Sequence, residues 1–114
     1  MQSKKKCEGA MPLMQVIYVE SIGNPLLNVP DLKGIVAFAK KHNLTSVVDS
    51  TFAPPVNFRP AALGVDCVLH SATKYANGHS DVCAGILSSR ADIIDKVSQP
   101  SPLGTVTTSL LSLS

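Results

Sequence analysis

Lys74 is the residue with the most chemical promise in this sequence. It stands in Ser71-Ala72-Thr73-Lys74-Tyr75, among small and hydroxylated residues, directly after the apolar run Cys67-Val68-Leu69. An amine held in a partly desolvated place has a lowered pKa and can form a Schiff base with a carbonyl. On an open surface the same side chain merely lays its stem along apolar neighbours. Asp49 closes the valine pair Val47-Val48. A carboxylate at the end of such a strand needs a cation or several donors. It therefore either faces a protonated ring nitrogen, which would make that ring an electron sink, or caps the turn that follows. Ser71 and Thr73 carry hydroxyls that suit a phosphate, alongside nearby backbone N–H groups, or they simply build a polar turn. Neither familiar glycine-rich phosphate loop occurs. His70, His79, Asp66, Asp81 and Cys83 match no standard ligand spacing, so no metal site is expected.

The elements that must position these groups follow from the apolar pattern. Val16-Ile17-Tyr18-Val19 reads as a buried strand, and Ser21 to Asn28 as a loop centred on Gly23-Asn24-Pro25. Pro30 and Asp31 open a helix with Leu32, Ile35, Val36 and Ala39 on one face. Lys40, Lys41 and His42 fill its last turn, and Asn43 stops it. Val47-Val48 is a second strand, which completes a βαβ unit and implies parallel pairing. Residues 50 to 64, with three prolines, are a loop containing at most one helical turn. Cys67 to Leu69 and Ala84 to Leu87 are further strands, and Ala91 to Val97 starts a helix. Beyond Ser98 the composition turns to Ser, Thr, Pro and Leu, and no folded element is expected there.

The fold class is thus α/β, with strands too apolar to face water and a mostly parallel sheet that needs flanking helices on both faces. In open sheets of this kind ligands sit beyond the carboxyl ends of the strands. Polar residues follow three strands there: Glu20 and Asn24, then Asp49 and Thr51, then His70, Ser71, Thr73 and Lys74. If the strands are parallel, these groups converge on one rim.

Composition sets the outer bounds. The chain has 114 residues, 45% hydrophobic and 16% charged, with a formal net charge of +2. That is the profile of one soluble globular domain at most, without the basic footprint of nucleic-acid or membrane binding. Lys4-Lys5-Lys6 reads as a solvated tail. Cys7, Cys67 and Cys83 form no C-x-x-C pair, which fits reduced thiols in a cytoplasmic protein. The first residues show no leader pattern and no apolar stretch is long enough to span a membrane.

Three ordered segments carry a resemblance. His70-Ser71-Ala72-Thr73-Lys74-Tyr75, continuing to Asp81, resembles the lysine motif of the Cys/Met-metabolism pyridoxal-phosphate enzymes, the cystathionine γ-synthases, γ-lyases and β-lyases and the methionine γ-lyases. Glu20-Ser21-Ile22-Gly23-Asn24-Pro25 is similar to that family's E-S-x-x-N-P loop, and Val47 to Ala53 to its V-V-D-N-T-F-A strand end, with Ser50 where Asn is usual. The likeness runs from about Val16 to about Val97. It implies part of a fold-type I large domain over residues 15–97, between non-matching tails at 1–14 and 98–114. It also implies pyridoxal 5'-phosphate as cofactor, with Lys74 as its covalent anchor and proton shuttle and Asp49 at the pyridine nitrogen. By the same likeness Ser71 and Thr73 take the phosphate, Asn24 lies near the ring hydroxyl, and Thr51 lines the pocket. The implied chemistry is elimination or replacement at the β or γ carbon of a sulfur amino acid, usually in a homotetramer. Family members are considerably longer, so a fragment is expected. Association with a full-length relative, or the product of a truncated gene, is the alternative to independent catalysis.

Overall fold

The computed structural model describes residues 15–79, 81, 83–98 and 109–112. Strand β1 is Val16–Glu20, helix α1 Leu32–Lys41, β2 Thr45–Asp49 and β3 Cys67–Ser71. Strand β4 is Gly85–Ser89, helix α2 Ala91–Val97 and β5 Ser109–Ser112. They form one sheet in the order β1-β2-β3-β4-β5. The pairs β1/β2, β2/β3 and β4/β5 are parallel, and β3/β4 is antiparallel.

Helix α1 forms where the pattern predicts. The Asp31 side chain accepts from Gly34 N at 3.0 Å and so meets one of the donors that a helix start leaves unpaired. Lys40 and Lys41 sit in the last turn, and Asn43 just beyond takes the left-handed conformation at φ 54°. Leu32 and Val36 pack with Val48, Val65 and Val68 to form the main core, with Val19, Ile35, Phe58 and Leu63 against it. That core lies on one face of the sheet. Register places Tyr18, Val47, Asp49, Cys67, Leu69 and Ser71 on the opposite face.

The structure adds to the sequence reading in one place and departs from it in two. Strand β4 runs antiparallel to β3. Residues 72–84 join the two, and the described residues among them hold one wide turn and no α-helix of the kind that usually carries a parallel return. Ser109–Ser112, placed in an unfolded tail by its composition, pairs with β4 as β5. Residues 99–108 and 113–114 of that tail, and the tail at 1–14, lie outside the described residues. Third, β1 is not buried on both faces, since Val16 is 50% and Tyr18 54% exposed. No described helix is long and apolar enough to cross a membrane.

Candidate active site

The three strands β1, β2 and β3 are mutually parallel, so their carboxyl ends share one rim, and a hollow of about 230 Å³ opens there. It is lined by Glu20, Ile22, Asn24, Asp49, Thr51, Phe52, Ser71 and Lys74. Five of the six residues singled out in the sequence, Lys74, Asp49, Ser71, Asn24 and Thr51, line it together. The sixth, Thr73, does not.

Asp49 is the centre of the polar network. Its Oδ1 accepts from Thr51 N at 3.0 Å and from Thr51 Oγ1 at 2.6 Å, and its Oδ2 accepts from the Tyr18 hydroxyl at 3.0 Å. Burial pushes this carboxyl up. The Thr51 and Tyr18 hydrogen bonds and the nearby His70 outweigh that, and the net effect holds it below the ordinary carboxylate value. Tyr18 answers in the opposite sense. Burial, the bond it donates to Asp49, and the charges of Asp49 and Glu20 push its phenol up to about 12. Thr51 Oγ1 also accepts from Ser71 N at 2.9 Å, so one hydroxyl ties the end of β2 to the end of β3.

Lys74 lies in the wide turn Ala72–Ala76, where Asn77 N donates back to Ala72 O at 3.0 Å and Gly78 N to Lys74 O at 2.9 Å. Lys74 itself leaves helical geometry, at φ −90° and ψ −121°. Gly78, at φ 79°, takes the left-handed conformation that closes the turn. The turn is clamped by Ala84, the residue just before β4. Ala84 O accepts from Ala72 N at 2.8 Å and Thr73 N at 3.3 Å, while Ala84 N donates to Thr73 Oγ1 at 3.0 Å. The backbone N–H groups of Ser71, Ala72 and Thr73 are thus all engaged within the protein. The sequence reading had them available to an anion.

The loop after β1 is held from two sides. Glu20 Oε2 accepts from Asn24 N at 3.0 Å, and Gly23 N donates to Asn28 O at 2.9 Å. The wholly buried Ser50 hydroxyl lies 3.2 Å from Ser21 Oγ and 2.8 Å from Ala53 O, joining this loop to the one after β2. Sequence reasoning missed Tyr18, Ile22 and Phe52 as neighbours of the site. Tyr18 was readable only as strand, because its reach to Asp49 depends on the β1/β2 register. Beside the hollow, across the shared Ile22 and Phe52, lies a more apolar one that also includes Val29, Leu32 and Phe58. Away from the rim, Asp66 Oδ2 accepts from both Ser46 N (2.9 Å) and Ser46 Oγ (2.7 Å), and Oδ1 pairs with Arg90 at 3.0 Å. That carboxylate knits β2 to the start of β3.

Comparison with known proteins gives this arrangement its family. Residues 2–110 match the model of the Cys/Met metabolism PLP-dependent enzymes, and the chain belongs to that family. It is 45% identical over 91 residues to the L-methionine gamma-lyase of Pseudomonas putida, covering 79% of this chain and 23% of that protein. It is 51% identical over 78 residues to a cystathionine beta-lyase of Lactococcus lactis subsp. cremoris, covering 68% and 20%. Among solved structures, the cystathionine gamma-lyase of Lactobacillus plantarum, complexed with L-serine, superposes with a TM-score of 0.70 at 42% identity, over 78% of this chain and 24% of the other. An O-acetylhomoserine (thiol)-lyase of Campylobacter jejuni, solved with N'-pyridoxyl-lysine-5'-monophosphate, gives 0.60 at 37% identity, over 62% and 17%. The chain spans about a fifth to a quarter of the length of the relatives it matches.

Proposed function

We propose that this chain carries the lysine-bearing part of a pyridoxal-phosphate site for elimination or replacement at the β or γ carbon of a sulfur amino acid. The observation behind this reading is that Lys74 and Asp49 line one hollow at the rim of three parallel strands. The residues present fit the ring end of the cofactor. The hollow offers one amine, an Asp49 carboxylate with acceptor capacity to spare, and the Asn24 side chain. At the phosphate end, hydroxyls rather than backbone N–H groups are the available donors, from Ser71 at the hollow and from Thr73 only if it leaves Ala84.

When bound, pyridoxal phosphate supplies an electron sink that acidifies the substrate's α-carbon. Asp49, held ionised, would keep a proton on the ring nitrogen that faces it. Lys74 would anchor the cofactor covalently, then take and return a proton at the substrate carbon. Thr51 would hold Asp49 in place, and Asn24 would stand by the ring hydroxyl. The residue range 15–97 is the portion read as large domain. A cytoplasmic setting and assembly into a homotetramer accompany this reading.

A second reading, association with another chain of the family without catalysis of its own, is favoured by the uncovered face of β1 at Val16 and Tyr18. One procedure addresses both. The chain is mixed with pyridoxal phosphate, reduced with borohydride and mapped by peptide mass. Label confined to Lys74, and abolished by Lys74→Ala, is the expected result. Label scattered over Lys33, Lys40, Lys41 and Lys96 would refute the pocket. Turnover of cystathionine, measured with and without a full-length relative, then separates enzyme from partner.

A further inference from the structure

The acceptor count at Asp49 carries a consequence beyond the cofactor contact itself. A carboxylate presents about four lone-pair positions. Both positions on Oδ1 are taken by Thr51, through its N–H and its hydroxyl, and one on Oδ2 is taken by Tyr18. A single position remains on Oδ2. A donor entering the hollow must therefore share that oxygen with the Tyr18 phenol.

We propose that Tyr18 is a positioning residue for this site: its hydroxyl fixes which edge of the Asp49 carboxylate is left open to a cationic ring nitrogen, and draws charge from the oxygen that receives it. The proposal rests on the pyridoxal-phosphate reading above, but the tyrosine–aspartate bond exists without any ligand. The register explains how it forms. Tyr18 pairs with Val47 and Glu20 with Asp49, so the phenol lies on the same sheet face as Asp49 and reaches it diagonally across β1 and β2. The other ionisable groups around Asp49 are Glu20 from β1, His70 from β3 and Lys74 from the turn. Tyr18 alone among these bonds the carboxylate directly. Tyr18 is 54% exposed as a residue, so the hydroxyl can be removed without emptying the core.

The variant is Tyr18→Phe, with circular dichroism to confirm the fold. In the unloaded chain, the carboxyl carbon NMR shift of Asp49, assigned by its loss in Asp49→Asn, is followed against pH. Its midpoint rises in Tyr18→Phe, because one hydrogen bond to the anion is gone. With ring-labelled pyridoxal phosphate bound, the ring-nitrogen NMR shift reports the pH at which the ring sheds its proton. That pH also rises, while borohydride label stays on Lys74. An Asp49 midpoint unchanged by Tyr18→Phe overturns the proposal, and so does an unchanged ring titration with Lys74 labelled. Absence of label from Lys74 in the unmodified chain would sink the cofactor reading instead, and the Asp49 titration alone would then decide the role of Tyr18.

Discussion

Replacing Thr51 by Val removes one hydroxyl and two hydrogen bonds. The bond it donates to Asp49 Oδ1 is 2.6 Å long and ends on a carboxylate, and the one it accepts from Ser71 N is 2.9 Å. A hydrogen bond to a charged group contributes about 1.5–3 kcal/mol. Thr51, Asp49 and Ser71 are all half-buried, so the lower part of that range applies here. The abandoned Ser71 N–H adds about 1 kcal/mol, since water reaches it in part. The expected loss is therefore about 2–3 kcal/mol, against a total of about 5–15 kcal/mol for an ordinary domain. Urea unfolding of Thr51→Val should show a lower midpoint at neutral pH, and Thr51→Ser, which restores the hydroxyl, should recover most of it.

Acid supplies an independent reading of the same bond. Asp49 titrates lower in the folded chain than its ordinary 3.8. The stability this provides is fully present above that ordinary value and is lost as pH falls through the depressed one. The difference between Thr51→Val and the parent should accordingly narrow on acidification. A Thr51→Val midpoint equal to the parent's at neutral pH, or a gap that widens in acid, would refute the account.

Two further substitutions test the frame around the site. Asp66→Ala should cost about 2–4 kcal/mol in urea unfolding, because it strands the N–H and hydroxyl of Ser46, which is 1% exposed. The lost Arg90 pair adds little, since that side chain is 62% exposed, and Arg90→Ala should therefore be nearly silent. Asp31→Ala removes the side-chain cap at the start of α1 and should lower stability by about 1 kcal/mol, with Asp31→Ser recovering most of it.

Much of this arrangement was legible because local signals and burial agreed. The Asp31 start, the apolar face of Leu32, Val36 and Ala39, and the Asn43 stop fix α1 from short-range chemistry alone. The convergence of Asp49, Thr51, Ser71 and Lys74 was legible through the rule that parallel strands end on one rim. Strand ends were harder. β2 begins at Thr45 rather than Val47, since Ser46 is buried by its bonds to Asp66, a partner twenty residues away that no local pattern reveals. The direction of β4 was hidden for a similar reason. A run of apolar residues does not say which way it travels, and the sign that decides it, a link whose described residues hold no crossover helix, belongs to the folded chain. Thr73 shows the limit at the site itself. Its type and spacing suit an anion, yet its hydroxyl is turned to the backbone of Ala84.

The sealed contact between Ser21 and Ser50 reaches into descent as well as architecture. Both residues are buried, and the carbonyl of Ala53 already draws on the Ser50 hydroxyl. An apolar residue at position 50 would strand both the Ser21 hydroxyl and the Ala53 carbonyl in a dry place, whereas an apolar residue at position 21 would leave Ser50 its bond to that carbonyl. The burden of choice therefore falls on position 50, which should admit only side chains that bring a hydrogen-bond donor of their own.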